Sequence, residues 1–195
     1  MSGASIAPDG RHVAVLVRNT AGRRQVAVLN ASDLSKFKIA ASFAEYDISW
    51  VQWADNATLV FSVGDESESA FDQRGSGLFA IGIDGEGMRS LINFRGENPE
   101  TGTMIKSHSL DPHRYSFGQR LHDGSGDIII DHWGETTVLN TYGSQWTGNV
   151  PLRMNVHTGL TTEMGSKWPD QVYHWEVDAQ GRVRAAMQYK DGQTS

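Results

Sequence analysis

Residues 7–19, APDGRHVAVLVRN, pass from a polar turn straight into a strand with apolar residues at every second position. Pro8 presets the dihedral for the second position of a type I turn, and Asp9 and Gly10 suit the positions that follow. Val13, Val15 and Val17 then alternate with His12, Ala14, Leu16 and Arg18. One face of the strand is wholly apolar and the other mixed, so the valine face is expected to be the buried one. The arrangement returns in ISWVQWADNATLVFSV (48–63), in YHWEVDAQGRVRAAM (173–187) and, more weakly, in FGQRLHDGSGDIIIDHW (117–133). The turn aspartates are Asp9, Asp55, Asp123 and Asp178, with spacings of 46, 68 and 55 residues. A chain punctuated in this way is a repeat of one β unit, not a succession of unrelated elements.

A second kind of hairpin fills the intervals. RQVAVLNASDLSKFKIAASF (24–43), GLFAIGIDGEGMRSLINF (77–94) and PLRMNVHTGLTTEM (151–164) each set an apolar strand against another across a polar turn. Each repeat therefore holds two hairpins, or four strands, and no stretch shows helical periodicity. A four-stranded sheet cannot bury both faces alone, whereas sheets stacked radially cover one another. The expected fold is all-β, a partial β-propeller of about three and a half four-stranded antiparallel blades. Expected boundaries are 6–43, 46–94 and 115–164 for three blades and 172–195 for the start of a fourth. The polar stretches 64–77, 95–112 and 134–149 are expected as loops, or in part irregular strands.

Composition limits the chemistry. Seventeen basic residues stand against 23 acidic ones, a net charge of −6, and no basic run exceeds Arg23-Arg24, which argues against nucleic acid as a partner. The absence of cysteine excludes a disulfide framework, a thiolate zinc site and a cysteine nucleophile. No run of 18 apolar residues offers a membrane span. A Gly-x-Ser-x-Gly nucleophile elbow is also missing; GASIA (3–7) and GSGDI (124–128) come nearest without matching, so no catalytic residue is assigned.

Several constellations invite a site and are better explained by turns. His122, Asp123, Asp127, Asp131 and His132 crowd one hairpin, but neighbours along a strand point to opposite faces, so no metal ligand or cofactor is assigned. Asp123-Gly-Ser-Gly-Asp127 resembles an oxygen-rich calcium loop yet lacks the remaining ligands. The sequons at Asn30 and Asn56 fall in tight turns. Trp50, Trp53, Trp133 and Trp175 lie at strand positions where packing between blades is the ordinary use of a large aromatic. Trp146 and Trp168, read as loop residues, are the candidates for ligand or partner contact.

Taken in order, APDGRHVAVLV, WVQWADNATLVFSV, GLFAIGIDGEGMRSLI and PLRMNVHTGLTTEM resemble the N-terminal propeller of the prolyl oligopeptidase family of serine peptidases. The likeness is greatest to the bacterial acylaminoacyl-peptidase and dipeptidyl-aminopeptidase branch. It spans nearly the whole chain, although the same motifs occur in other propellers, including the Tol-system periplasmic protein. The resemblance implies a C-terminal α/β-hydrolase domain as partner, peptides as substrates, and a propeller that limits which peptides reach the triad. A bacterial origin, cytoplasmic or periplasmic, goes with it. The paired glutamate by which dipeptidyl-peptidase relatives hold a substrate's amino terminus has no counterpart, Glu66 and Glu68 being the nearest acidic pair. Since the final turn signal follows a strand directly, the chain is expected to be a fragment whose open blade edges favour self-association.

Overall fold

The computed structural model describes residues 3–64, 77–93, 109–137, 144–165, 169–190 and 193–194. Every regular element among them is a strand. The first sheet is β1 (Ala4–Ile6), β2 (His12–Arg18), β3 (Arg24–Asn30) and β4 (Asp33–Ala41); the second is β5 (Asp47–Trp53), β6 (Thr58–Gly64), β7 (Gly77–Gly82) and β8 (Arg89–Ile92). The third is β9 (Tyr115–Arg120), β10 (Ile128–Thr137), β11 (Ser144–Met154) and β12 (Thr161–Glu163). The fourth is β13 (Val172–Val177), β14 (Val183–Lys190) and the two-residue β15 (Gln193–Thr194). In each sheet sequence neighbours pair antiparallel, as chains joined by short turns must.

All four turn aspartates act alike. The Oδ1 atoms of Asp9, Asp55, Asp123 and Asp178 accept the amide N–H two residues on, from Arg11, Ala57, Ser125 and Gln180 at 2.9, 2.7, 3.0 and 3.0 Å. A short carboxylate supplies the acceptor the reversing backbone lacks, which is why this residue type recurs there. Of the sequon asparagines, Asn30 Oδ1 likewise accepts from Ser32 N, whereas Asn56 Oδ1 accepts from Asp9 N at 3.0 Å and so links the first turn to the second.

The chain forms two compact units, residues 1–113 with 156–159, and residues 114–155 with 160–195. In the first, cross-strand rows Trp53–Leu59–Ile81 and Val51–Phe61–Phe79 of the second sheet meet Ala14, Val26, Val28 and Ala40 of the first. Phe61 and Phe79 stack at 5.7 Å, with Phe43 tilted against both. Trp53 is fully buried and donates its indole N–H to Ser5 O at 2.9 Å, pinning β5 to β1.

This packing corrects the expectation for β2. Its fully buried residue is Ala14, on the mixed face, while Val13, Val15 and Val17 are half-buried. The small side chain lets the bulky row Trp53–Leu59–Ile81 approach. The valine face continues through the cross-strand row Ile6–Val13–Leu29–Phe37, whose end members Ile6 and Phe37 are both 64% exposed. Alternation reveals that a strand has two faces, but not which face a neighbouring sheet will take.

Two further features concern the second unit. Of 134–149, expected as a loop or in part irregular strand, much is strand, since β10 and β11 stay paired from Ile128↔Met154 out to Thr137↔Ser144. Threonines at the tip favour a pleated backbone, and a bulge after Gly134 absorbs the extra residue. The fourth sheet also carries a short third strand where only a hairpin was expected.

Candidate functional site

A juxtaposition of aromatic and polar groups lies in the second unit, on one face of the third sheet. The register sets Asp131 between Ser116 on β9 and Pro151 on β11, and Trp133 beside Asn149. Directly opposed residues share a face, and so do residues two apart. Ser116, Asp131, Trp133, Pro151 and Asn149 therefore present one surface. His132 points the other way and stacks on its opposed partner Tyr115 at 4.5 Å. The alternation that argued against a joint Asp131–His132 site is thus realised in the structure.

Asn149 is the hub. Its Oδ1 accepts the Trp146 indole N–H at 3.3 Å, its Nδ2 donates to Tyr173 O at 3.0 Å, and its backbone carbonyl accepts the Trp175 indole N–H at 2.7 Å. The side chain is buried and well supplied with partners, as a buried amide requires. Gly148, at φ 120°, lets β11 come so close to β13 that an added Cβ would sit 2.9 Å from Val172 N. Trp146 thus belongs to β11 rather than to a loop, and it is half-buried against Asn149. Trp168 lies outside the described residues.

Asp131 is half-buried, and burial pushes its carboxyl above the usual range, opposed by the charge of His174. The carboxylate lies over Gly118, the residue skipped by the β9–β10 register, where an added Cβ would be 3.3 Å from Oδ2 and 3.4 Å from Oδ1. Nearby, His174 is engaged by Glu176 at 3.1 Å. Trp133 donates its indole N–H to Ser116 Oγ at 3.4 Å and is 46% exposed, unlike the buried Trp53 and Trp175. Its exposure was not legible in a sequence that places all of these tryptophans on strands. Burial also pushes His132 down, assisted by Arg114.

The Asp123–Asp127 segment, expected as a Gly-rich turn, is tied to β11. Arg153 on β11 donates Nε to Asp127 Oδ2 at 2.6 Å and Nη2 to Asp123 Oδ2 at 2.9 Å, and Asn155 Nδ2 reaches Asp127 Oδ1 at 3.0 Å. One guanidinium thus pairs with both carboxylates. Among the described residues no three His, Asp or Glu side chains form a metal-holding group.

TolB from Acinetobacter baumannii superimposes on 99% of this chain with a TM-score of 0.50 at 12% identity. The fold is a β-propeller. Its four successive antiparallel sheets are blades, the last described as three strands. Two other solved structures are similar over the chain at lower scores. A puromycin-hydrolyzing peptidase of Mycobacterium tuberculosis covers 100% of it at 15% identity and TM-score 0.47. A puromycin hydrolase mutant complexed with PGG covers 95% at 13% identity and TM-score 0.46. The chain spans 38%, 28% and 24% of the length of those three chains. No protein-family model and no curated protein sequence matches the chain.

Proposed function

We propose that this propeller is the N-terminal region of a serine peptidase of the prolyl oligopeptidase family, where it covers a hydrolase domain encoded outside these residues and selects the peptides that enter. The observation that carries the reading is the order of the blade motifs: APDGRHVAVLV, WVQWADNATLVFSV, GLFAIGIDGEGMRSLI and PLRMNVHTGLTTEM follow one another as in that family across nearly the whole chain. The missing nucleophile elbow is consistent with it, because in such a design the blades shape access and the chemistry resides elsewhere.

The test is made on the parent protein. A fluorophosphonate probe is expected to label a serine beyond residue 195, and deleting the propeller is expected to admit longer peptides to cleavage. A parent with no probe-reactive serine overturns the proposal. It would leave the second reading, a noncatalytic propeller that binds a protein or envelope component, which the TolB likeness favours.

A further inference from the structure

We propose that the Asp131–Trp133 face of the third blade binds a guanidinium group, that of an arginine side chain in a polypeptide ligand. The inference holds whichever reading of the parent is correct, because it rests on the blade alone.

A carboxylate that is partly buried without a hydrogen bond carries a desolvation cost that a cationic ligand relieves. Among the described residues no donor forms a hydrogen bond to the Asp131 carboxylate, and the nearby His174 is held by Glu176. Gly118 leaves open the space above β9 that a side chain there would take from the carboxylate. Among the described residues the carboxylate oxygens thus accept no hydrogen bond, and only the charge of His174 acts on them.

Trp133 supplies the second half of the site. It lies two residues along the same strand and on the same face, about 7 Å away at the ordinary strand rise. Its N–H is directed to Ser116 Oγ, and 46% of the residue remains exposed to a ligand. A cation next to both groups gains a charge-assisted hydrogen bond and a cation–π contact. Guanidinium fits better than ammonium, because its planar fork meets both carboxylate oxygens and its flat face stacks on an indole. A hard metal ion is the poorer match, since it needs several oxygen ligands and, among the described side chains, no group of three His, Asp or Glu residues could hold one.

The experiment is an NMR titration of the whole chain with acetyl-Ala-Arg-Ala-amide, following the Trp133 indole N–H resonance, assigned by its loss in Trp133→Phe. Citrulline in place of arginine keeps the shape and removes the charge. Saturable shifts with the arginine peptide are expected, weakened at least tenfold by citrulline and at least tenfold by Asp131→Asn. Trp133→Phe, read through the amide of Asp131, is expected to retain most of the affinity, and Trp133→Leu to lose it. Circular dichroism and unfolding midpoints establish that the variants are folded, and Asp131→Asn keeps the volume of the native side chain. Equal binding of arginine and citrulline, unchanged affinity in Asp131→Asn, or no shift at millimolar peptide overturns the proposal.

Discussion

Arg23 Nη1 donates to Asp47 Oδ2 at 2.7 Å, joining the entrance of β3 to the first residue of β5, and so the first blade to the second. Asp47 is buried, and its other oxygen accepts the Arg24 amide at 2.8 Å. The carboxylate is thereby gripped by a side chain and by the backbone of one turn.

Removing the cation should cost more than the pair itself contributes, because a buried negative charge then loses the guanidinium that offsets its desolvation. Arg23→Met is expected to lower the stability of the first unit by about 3 kcal/mol, measured by urea denaturation. The double variant Arg23→Met with Asp47→Leu is expected to recover part of that loss. A cost below about 0.5 kcal/mol for the single change would be that of an ordinary surface pair, and would mean the contact is solvated.

Gly148 is held at φ 120° with β13 pressed against it. An alanine there meets both an unfavourable backbone region and a Val172 amide that has no room to retreat. Gly148→Ala should destabilise the second unit by roughly 1–3 kcal/mol, with loss of the Trp175 near-ultraviolet signal as that indole leaves the Asn149 carbonyl. An unchanged unfolding midpoint would show that β11 and β13 can separate without cost.

Acid should loosen the turns of the second unit. The Arg182 amide, with Arg184 and Gln180, holds Asp178 down to about 2. Burial of Asp123 works against ionisation, but the Ser125 hydroxyl and amide together with Arg153 outweigh it and leave that group lowered. A carboxylate whose folded pKa is depressed contributes stability that is present above its unfolded value, near 3.8, and lost as pH falls toward the folded one. Stability is therefore expected to decline between about pH 5 and pH 2, and Asp178→Asn should flatten that slope.

Asp131 carries the opposite sign. Burial raises its pKa, so the folded state holds this proton more tightly than the unfolded chain does, and the stability it contributes is lost as pH rises through the folded value. Asp131→Asn is thus expected to stabilise the ligand-free protein at pH 7 while leaving stability near pH 3 unchanged, followed by thermal melts at the two pH values. Destabilisation at pH 7 would mean that the carboxylate is paired in solution.

Ile6 and Phe37 end an apolar row on the outward face of the first blade. Replacing both by serine should reduce concentration-dependent self-association in sedimentation experiments, with stability held within about 0.5 kcal/mol as for surface changes generally. Association that survives both changes would have to run through strand edges or another face.

The blades were readable because their determinants are local. A turn aspartate caps an amide two residues away, and Asp9, Asp55, Asp123 and Asp178 all do so. Strand period likewise depends only on neighbours, so hairpins such as β3–β4 and β7–β8 fall where the apolar runs place them. The likeness of the chain to a propeller needed little more than these repeats.

The site depended on pairings that sequence distance conceals. Trp146 was singled out for standing in a loop and instead supports Asn149 from within β11, while Trp133, assigned to packing, is the exposed ring. Asp123 and Asp127, read from the sequence as turn residues, are paired by Arg153 from another strand, a contact that sequence distance hides.

What the sequence by itself determined is the repeat: turns, strand period and the number of strands per blade, each encoded within a few residues. Only the tertiary structure decided which face of each strand is covered. Ala14 rather than the valines is buried, and Asp131 keeps a half-buried carboxylate above Gly118. Burial is a property of what a neighbouring sheet brings to the contact, and β2 and β10 each meet theirs from residues dozens of positions away.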